Sequence, residues 1–179
     1  MKKQLSLWQL GSFIFTAVLG VLLHFLFDLS GQNAIVGSFS AVNESIWEHI
    51  KLVFFPMFIF SLVQSRYQGH KYPNFWCIKL VGTLLAMVLI PVLYYTINGI
   101  FGPTRDWMNI AIFFISVATS TFVETLLFKK SSIECAYPQK AILIFVLIAI
   151  LFVVFTFIPP QIPLFEDPIT KSYGYFENI

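Results

Sequence analysis

Five apolar stretches, each about as long as a membrane is thick, constrain this chain more than anything else in it. A hydrocarbon core of about 30 Å takes about 20 helical residues to cross. The stretches run Leu5 to Phe27, Ser45 to Val63, Lys79 to Ile97, Met108 to Phe128 and Ala141 to Ile158. No water-soluble reading accommodates them, because a soluble domain covers itself with roughly 25% charged residues and this chain has 11% against 58% hydrophobic. The expected fold is therefore all-α: a polytopic membrane helical bundle of five transmembrane helices over residues 1–158, with a proline-rich, non-helical extracytoplasmic tail over 159–179. The segment Ala34 to Val42 is too short to span and reads as a loop or a shallow re-entrant piece. The lipid bilayer is the first partner implied. A net charge of +2 with no basic run gives no footprint for nucleic acid. Cys77 and Cys135 show no CxxC spacing and read as isolated thiols at helix ends.

Orientation follows from the basic residues, which are retained on the cytoplasmic side of membrane spans. Lys2, Lys3, Arg66, Lys71, Lys79, Lys129, Lys130 and Lys140 fall on one side, and Lys51, Arg105 and Lys171 on the other. Eight against three places the N-terminus inside and the C-terminus outside, in a cell membrane. The opposite side collects Asp28, Glu44, Glu48, Asp106, Glu166, Asp167 and Glu177, so the outer surface is expected to be acidic. MKKQ before the first apolar run resembles a secretory signal, but no small-x-small cleavage site follows it before Asp28, and the run is expected to stay as the first helix.

Polar side chains inside hydrocarbon need a partner or water, so their positions report which faces look inward. The first stretch carries Ser12, Thr16, Gly20, His24 and Asp28 at four-residue steps, with Gly20, His24 and Asp28 on one face. The junction NESIWEHIK, from Asn43 to Lys51, is the most unusual segment. Asn43 is placed to cap a helix whose first turns hold Glu44 and Glu48. Glu48 and Lys51 are spaced as an i,i+3 pair. His24 and Asp28 close the first span on the same side, so two histidines and three carboxylates gather at one end of two sequence-adjacent helices. The fourth stretch carries Ser116, Ser120 and Glu124, with Lys129 and Lys130 as expected partners of Glu124. Pro56 and Pro91 lie inside spans and each frees a backbone carbonyl one turn earlier. The tail segment PPQIPLFEDP bars helix and sheet, yet it is too apolar for a solvated tail. It is expected to lie over the outer end as a lid, bringing Glu166 and Asp167 above the bundle.

The blocks VNESIWEHIKLVFFP (Val42 to Pro56) and PPQIPLFEDPITKSYG (Pro159 to Gly174) resemble the hallmark segments of an uncharacterised family, a domain of unknown function, of small bacterial multi-pass membrane proteins. The resemblance covers nearly the whole chain and implies a membrane fold without an activity. A looser similarity, to the membrane hydrolases that include alkaline ceramidases and adiponectin receptors, implies zinc held by histidines; this chain has three His and no HxxxH.

Three functions follow as expectations. The first is a membrane protein that binds or transports a small solute or cation in an outward-facing acidic site. Its ligand-binding candidates are His24, Asp28, Glu44, Glu48, His49, Lys51, Glu124, Glu166 and Asp167. The second is a membrane-embedded, metal-dependent hydrolase, with a divalent metal ion held by His24, Asp28, Glu48 and His49. The third is a scaffold without chemistry. With no internal repeat to supply two halves of a carrier, a homo-oligomer or a membrane partner subunit is expected to complete the first.

Overall fold

A computed structural model describes residues 2–102, 104–130 and 134–175; Glu177 lies outside them. Helix α1 spans Lys2–Leu29, and a single turn, α2, spans Ala34–Gly37. Helix α3 spans Ile46–Gln68 and runs into a 3₁₀ turn at Gly69–Lys71. Helices α4 (Phe75–Phe101), α5 (Asp106–Lys129) and α6 (Pro138–Phe157) follow. The fold is all-helical among the described residues, and five helices are long and apolar enough to cross a membrane.

The packing explains the composition. Helix α3 lies in the middle: 61% of its most apolar window is buried, against 22–33% for the other four helices. Helix α1 packs on α3 and α5, α4 on α3 and α5, and α6 on α4 and α3. The core around α3 is aromatic, with Phe54 against Phe55, Phe145 and Phe152, and Phe58 stacked on Phe145 at 4.8 Å. Outward, Leu10, Val18, Val88, Leu143 and Ile150 are exposed, an apolar surface that is unusual in water and ordinary in lipid.

The chain alternates direction through the bundle. One end, called upper here, gathers the end of α1, α2, the start of α3, the α4–α5 turn and the tail after α6. The lower end holds the α3–α4 turn and the α5–α6 connection. Cys77 in the first turn of α4 and Cys135 before α6 meet at the lower end in a disulfide, with Cα atoms 5.9 Å apart. The reading of isolated thiols is thereby corrected. Sequence separation hid the pair, whereas the return of the chain through α5 and the packing of α6 on α4 bring the two together.

Pro56 and Pro91 sit within continuous helices. The carbonyl that Pro56 leaves free belongs to Leu52, and Gly20 of α1 lies against it: a Cβ at Gly20 would stand 2.7 Å from Leu52 O and 2.6 Å from Phe113 Cζ. Gly20 therefore lets α1, α3 and α5 close on one another at one level. Above that level the helices spread into a cavity.

Candidate functional site

His24, on the last full turns of α1, Glu44, in the loop before α3, and His49, one turn into α3, meet at the upper end. Glu44 Oε1 lies 3.8 Å from His24 Nε2 and Glu44 Oε2 lies 3.5 Å from His49 Nε2. The two imidazole rings are 5.3 Å apart. One ligand atom from each residue falls within 4.8 Å of the others. Donors held 2.0–2.2 Å from a tetrahedral metal stand about 3.3–3.6 Å apart, so the cluster needs little movement to close on an ion.

Local structure explains why these side chains converge. Ser45 is the N-cap of α3, its hydroxyl accepting from Glu48 N at 3.4 Å. Asn43, expected as the cap, instead accepts from Ser45 N at 3.0 Å and tightens the preceding turn. The carbonyl of Ser45 then lies 2.9 Å from His49 Nδ1. A carbonyl only accepts, so Nδ1 carries a proton, and Nε2 is the ring nitrogen that faces Glu44. This second hydrogen bond is the kind that orients a metal-binding imidazole. Glu44 is held from the tail, because its backbone N donates to Asp167 Oδ2 at 3.3 Å.

The cluster opens into a cavity of about 610 Å³ that Val21, Phe25, Leu52, Ile110, Phe113 and Phe114 line with apolar surface. A smaller lobe of about 190 Å³ extends toward Tyr94 and Thr104. Glu44, His49, Asp106 and Asn109 line both. Neither Asp106 nor Asn109 is among the site residues that the sequence suggests. The available signal is that Asp106 opens α5, which sets it at the mouth of the upper end.

The remaining sequence candidates fall elsewhere. Asp28 is exposed one turn above His24. Glu48 is 1% exposed and Lys51 0%. They pair with each other at 2.5 Å, with Glu48 also accepting from Val42 N at 3.0 Å. Lys51 Nζ donates to Gly37 O at 2.9 Å and Thr156 Oγ1 at 2.8 Å. The pair thus joins α3 to α2, its following loop and α6, and stands behind the cluster rather than in it. Glu166 pairs with Lys171 at 3.3 Å. Asp167 is buried, and its Oδ1 accepts from Ile169 N at 2.7 Å and Thr170 N at 3.2 Å. Glu124 lies deep in the lower half, and the expected partners Lys129 and Lys130 are replaced by Lys79, at 2.6 Å, and Gln9, at 3.1 Å. Helix α4 begins at Phe75, which sets Lys79 a full turn inside the bundle rather than at its surface.

The tail lies over the upper end through named contacts. Leu164 O accepts from Trp47 N at 3.0 Å, and Phe165 packs on the Trp47 ring at 4.6 Å. Tyr175 N donates to Thr156 O at 2.8 Å. A family model described as a family of unknown function (DUF6512) matches residues 1–175. The chain belongs to that family. The two sequence blocks that build the upper end, Val42 to Pro56 and Pro159 to Gly174, both lie within the match. No curated protein and no solved structure matches the chain, so any activity for this member of the DUF6512 family has to be argued from the site itself.

Proposed function

We propose that this membrane protein binds a divalent transition-metal cation of the zinc class, through His24, Glu44 and His49, in a cavity that faces the cell exterior and serves uptake or sensing of that cation. The observation that supports the reading is the convergence of two imidazoles and one carboxylate, with His49 held through Nδ1 so that its Nε2 faces the cluster. Two histidines and a glutamate are a ligand set that zinc accepts with one position open. Asp28 and Asp106 add negative charge around the mouth, which raises the local concentration of cations. Metal analysis of detergent-purified protein after zinc loading and desalting tests this. About one equivalent per chain is expected; none retained refutes it.

A second reading rests on the cavity. An open-position zinc site beside about 610 Å³ of mainly apolar space also suits hydrolysis of a lipid ester or amide, with the metal lowering the pKa of bound water and Asp106 as the base. Release of fatty acid from lipid substrates by the zinc-loaded protein, abolished by Asp106→Asn, would favour it over binding alone.

The tail has a part in the first reading. Asp167 grips the backbone of Glu44, so Asp167→Ala is expected to lower zinc affinity by about 10- to 100-fold, the usual cost of losing an outer-shell partner. Competition titration against a chromophoric chelator reads it, and an unchanged affinity would separate the tail from the site.

Orientation is testable independently. With the N-terminus inside, Lys171→Cys in a Cys77→Ser, Cys135→Ser background is labelled on intact cells by an impermeant maleimide, and His70→Cys is not. The Cys77–Cys135 pair lies at the lower end, which this orientation exposes to a reducing cytosol. The disulfide between them fits an oxidising compartment, so acid-quenched cells that yield the pair oxidised would reverse this orientation, and free thiols would uphold it.

A further inference from the structure

A second group of buried polar residues occupies the lower half of the bundle and is independent of the histidine cluster. Gln9 Oε1, Ser12 Oγ, Thr16 Oγ1, Gln64 Oε1 and Nε2, Thr83 Oγ1 and Glu124 Oε1 are all buried and have no hydrogen-bond partner. Their residues are 0–3% exposed. Such groups are almost always satisfied in folded proteins, by protein or by ordered water.

They belong to one region. Gly20, Leu52 and Phe113 touch and mark a common level. Gln9 lies eleven residues below it on α1, Gln64 twelve below on α3 and Glu124 eleven below on α5, so at 1.5 Å per residue all three sit at about the same depth, roughly 17 Å down. The bonds from Gln9 and Lys79 to Glu124 Oε2 confirm that α1, α4 and α5 meet there. Gly82 makes room for the arrangement, since a Cβ at that position would overlap the Glu124 carboxylate. Ser12, Thr16 and Thr83 carry the polar surface upward from this level toward Gly20.

The chemistry of the free atoms selects the occupant. They mix acceptors, such as Gln9 Oε1 and Glu124 Oε1, with donors, such as Gln64 Nε2 and the hydroxyls of Ser12, Thr16 and Thr83. A metal cation would use only the acceptors and would meet the Lys79 ammonium. An anion would meet the Glu124 carboxylate. Water both donates and accepts, and a buried water needs two to four polar partners. We propose that the lower half of the bundle encloses a hydrated chamber, in which a chain of bound waters solvates the Lys79–Glu124 pair and reaches from Gln64 up to Thr16. Thr16 and His24 are eight residues apart on α1, so about 12 Å around Gly20, Leu52 and Phe113 separates this chamber from the outer cavity. The protein is then two wet compartments with one thin apolar barrier between them.

Hydroxyl-radical footprinting of the intact protein in nanodiscs, with residue-level mass spectrometry, tests the chamber. Met57 is 0% exposed and belongs to the same apolar cluster as Phe145, but it shares the α3 face of Ser61 and Gln64, so radicals formed from chamber water on that face should oxidise it. Phe145→Met provides a methionine in the dry aromatic core, read in the same molecule; the native Phe145 and Phe152 rings give a second dry reference in the unaltered chain. The chamber predicts oxidation of Met57 several times faster than at position 145, and well above the background of both rings in the unaltered chain. Met57 oxidised no faster than these references would overturn it, whether or not the protein binds zinc.

Discussion

Lys51→Met is expected to destabilise the protein by about 3–5 kcal/mol, the cost of leaving one member of a buried ion pair without its partner. Glu48 is then a carboxylate with 1% exposure whose remaining partners are Val42 N and the distant Thr156 hydroxyl. Glu48→Leu alone should cost a similar amount, because the Lys51 ammonium is left with only Gly37 O and Thr156 Oγ1. Combining the two substitutions removes both charges and should recover most of the loss. Denaturant or thermal unfolding in detergent reads all three. Near-wild-type stability of either single variant, with loss of zinc binding, would instead make the pair part of the site.

The second large effect is on the ligands. His24→Ala, Glu44→Gln and His49→Ala should each weaken zinc binding by more than about a hundredfold, beyond the 10- to 100-fold typical of an outer-shell change. Their unfolding midpoints without metal should stay close to wild type, because His24 and His49 are only partly buried and Glu44 is exposed. The contrast with Lys51→Met separates residues that hold the end of the bundle together from residues that face the cavity.

Sequence periodicity made the five long helices legible, because about 20 apolar residues in a row leave a chain few alternatives. The meeting of the first two spans was legible too. His24 and Asp28 end one helix and Glu44 to His49 begin the next, with little chain between them. What periodicity does not carry is the direction of a side chain that bonds locally. Glu48 belongs to the same run as Glu44 and His49, yet it turns back to Val42 N and Lys51 while they face the cavity, and only the loop conformation decides this. Glu124 misled for another reason. Its nearest lysines in sequence lie beyond the end of the span, whereas Lys79 comes from a different helix that begins at Phe75, a turn before its apolar stretch. Asp106 and Asn109 enter through the packing of α5 against α1, which no spacing within either helix reveals.

The most direct test of zinc binding by His24, Glu44 and His49 is zinc K-edge X-ray absorption of the loaded protein. The first shell should be nitrogen and oxygen at about 2.0–2.2 Å containing two imidazoles, reduced to one in His49→Ala. A shell without imidazole scattering, or one unchanged by that substitution, would contradict it.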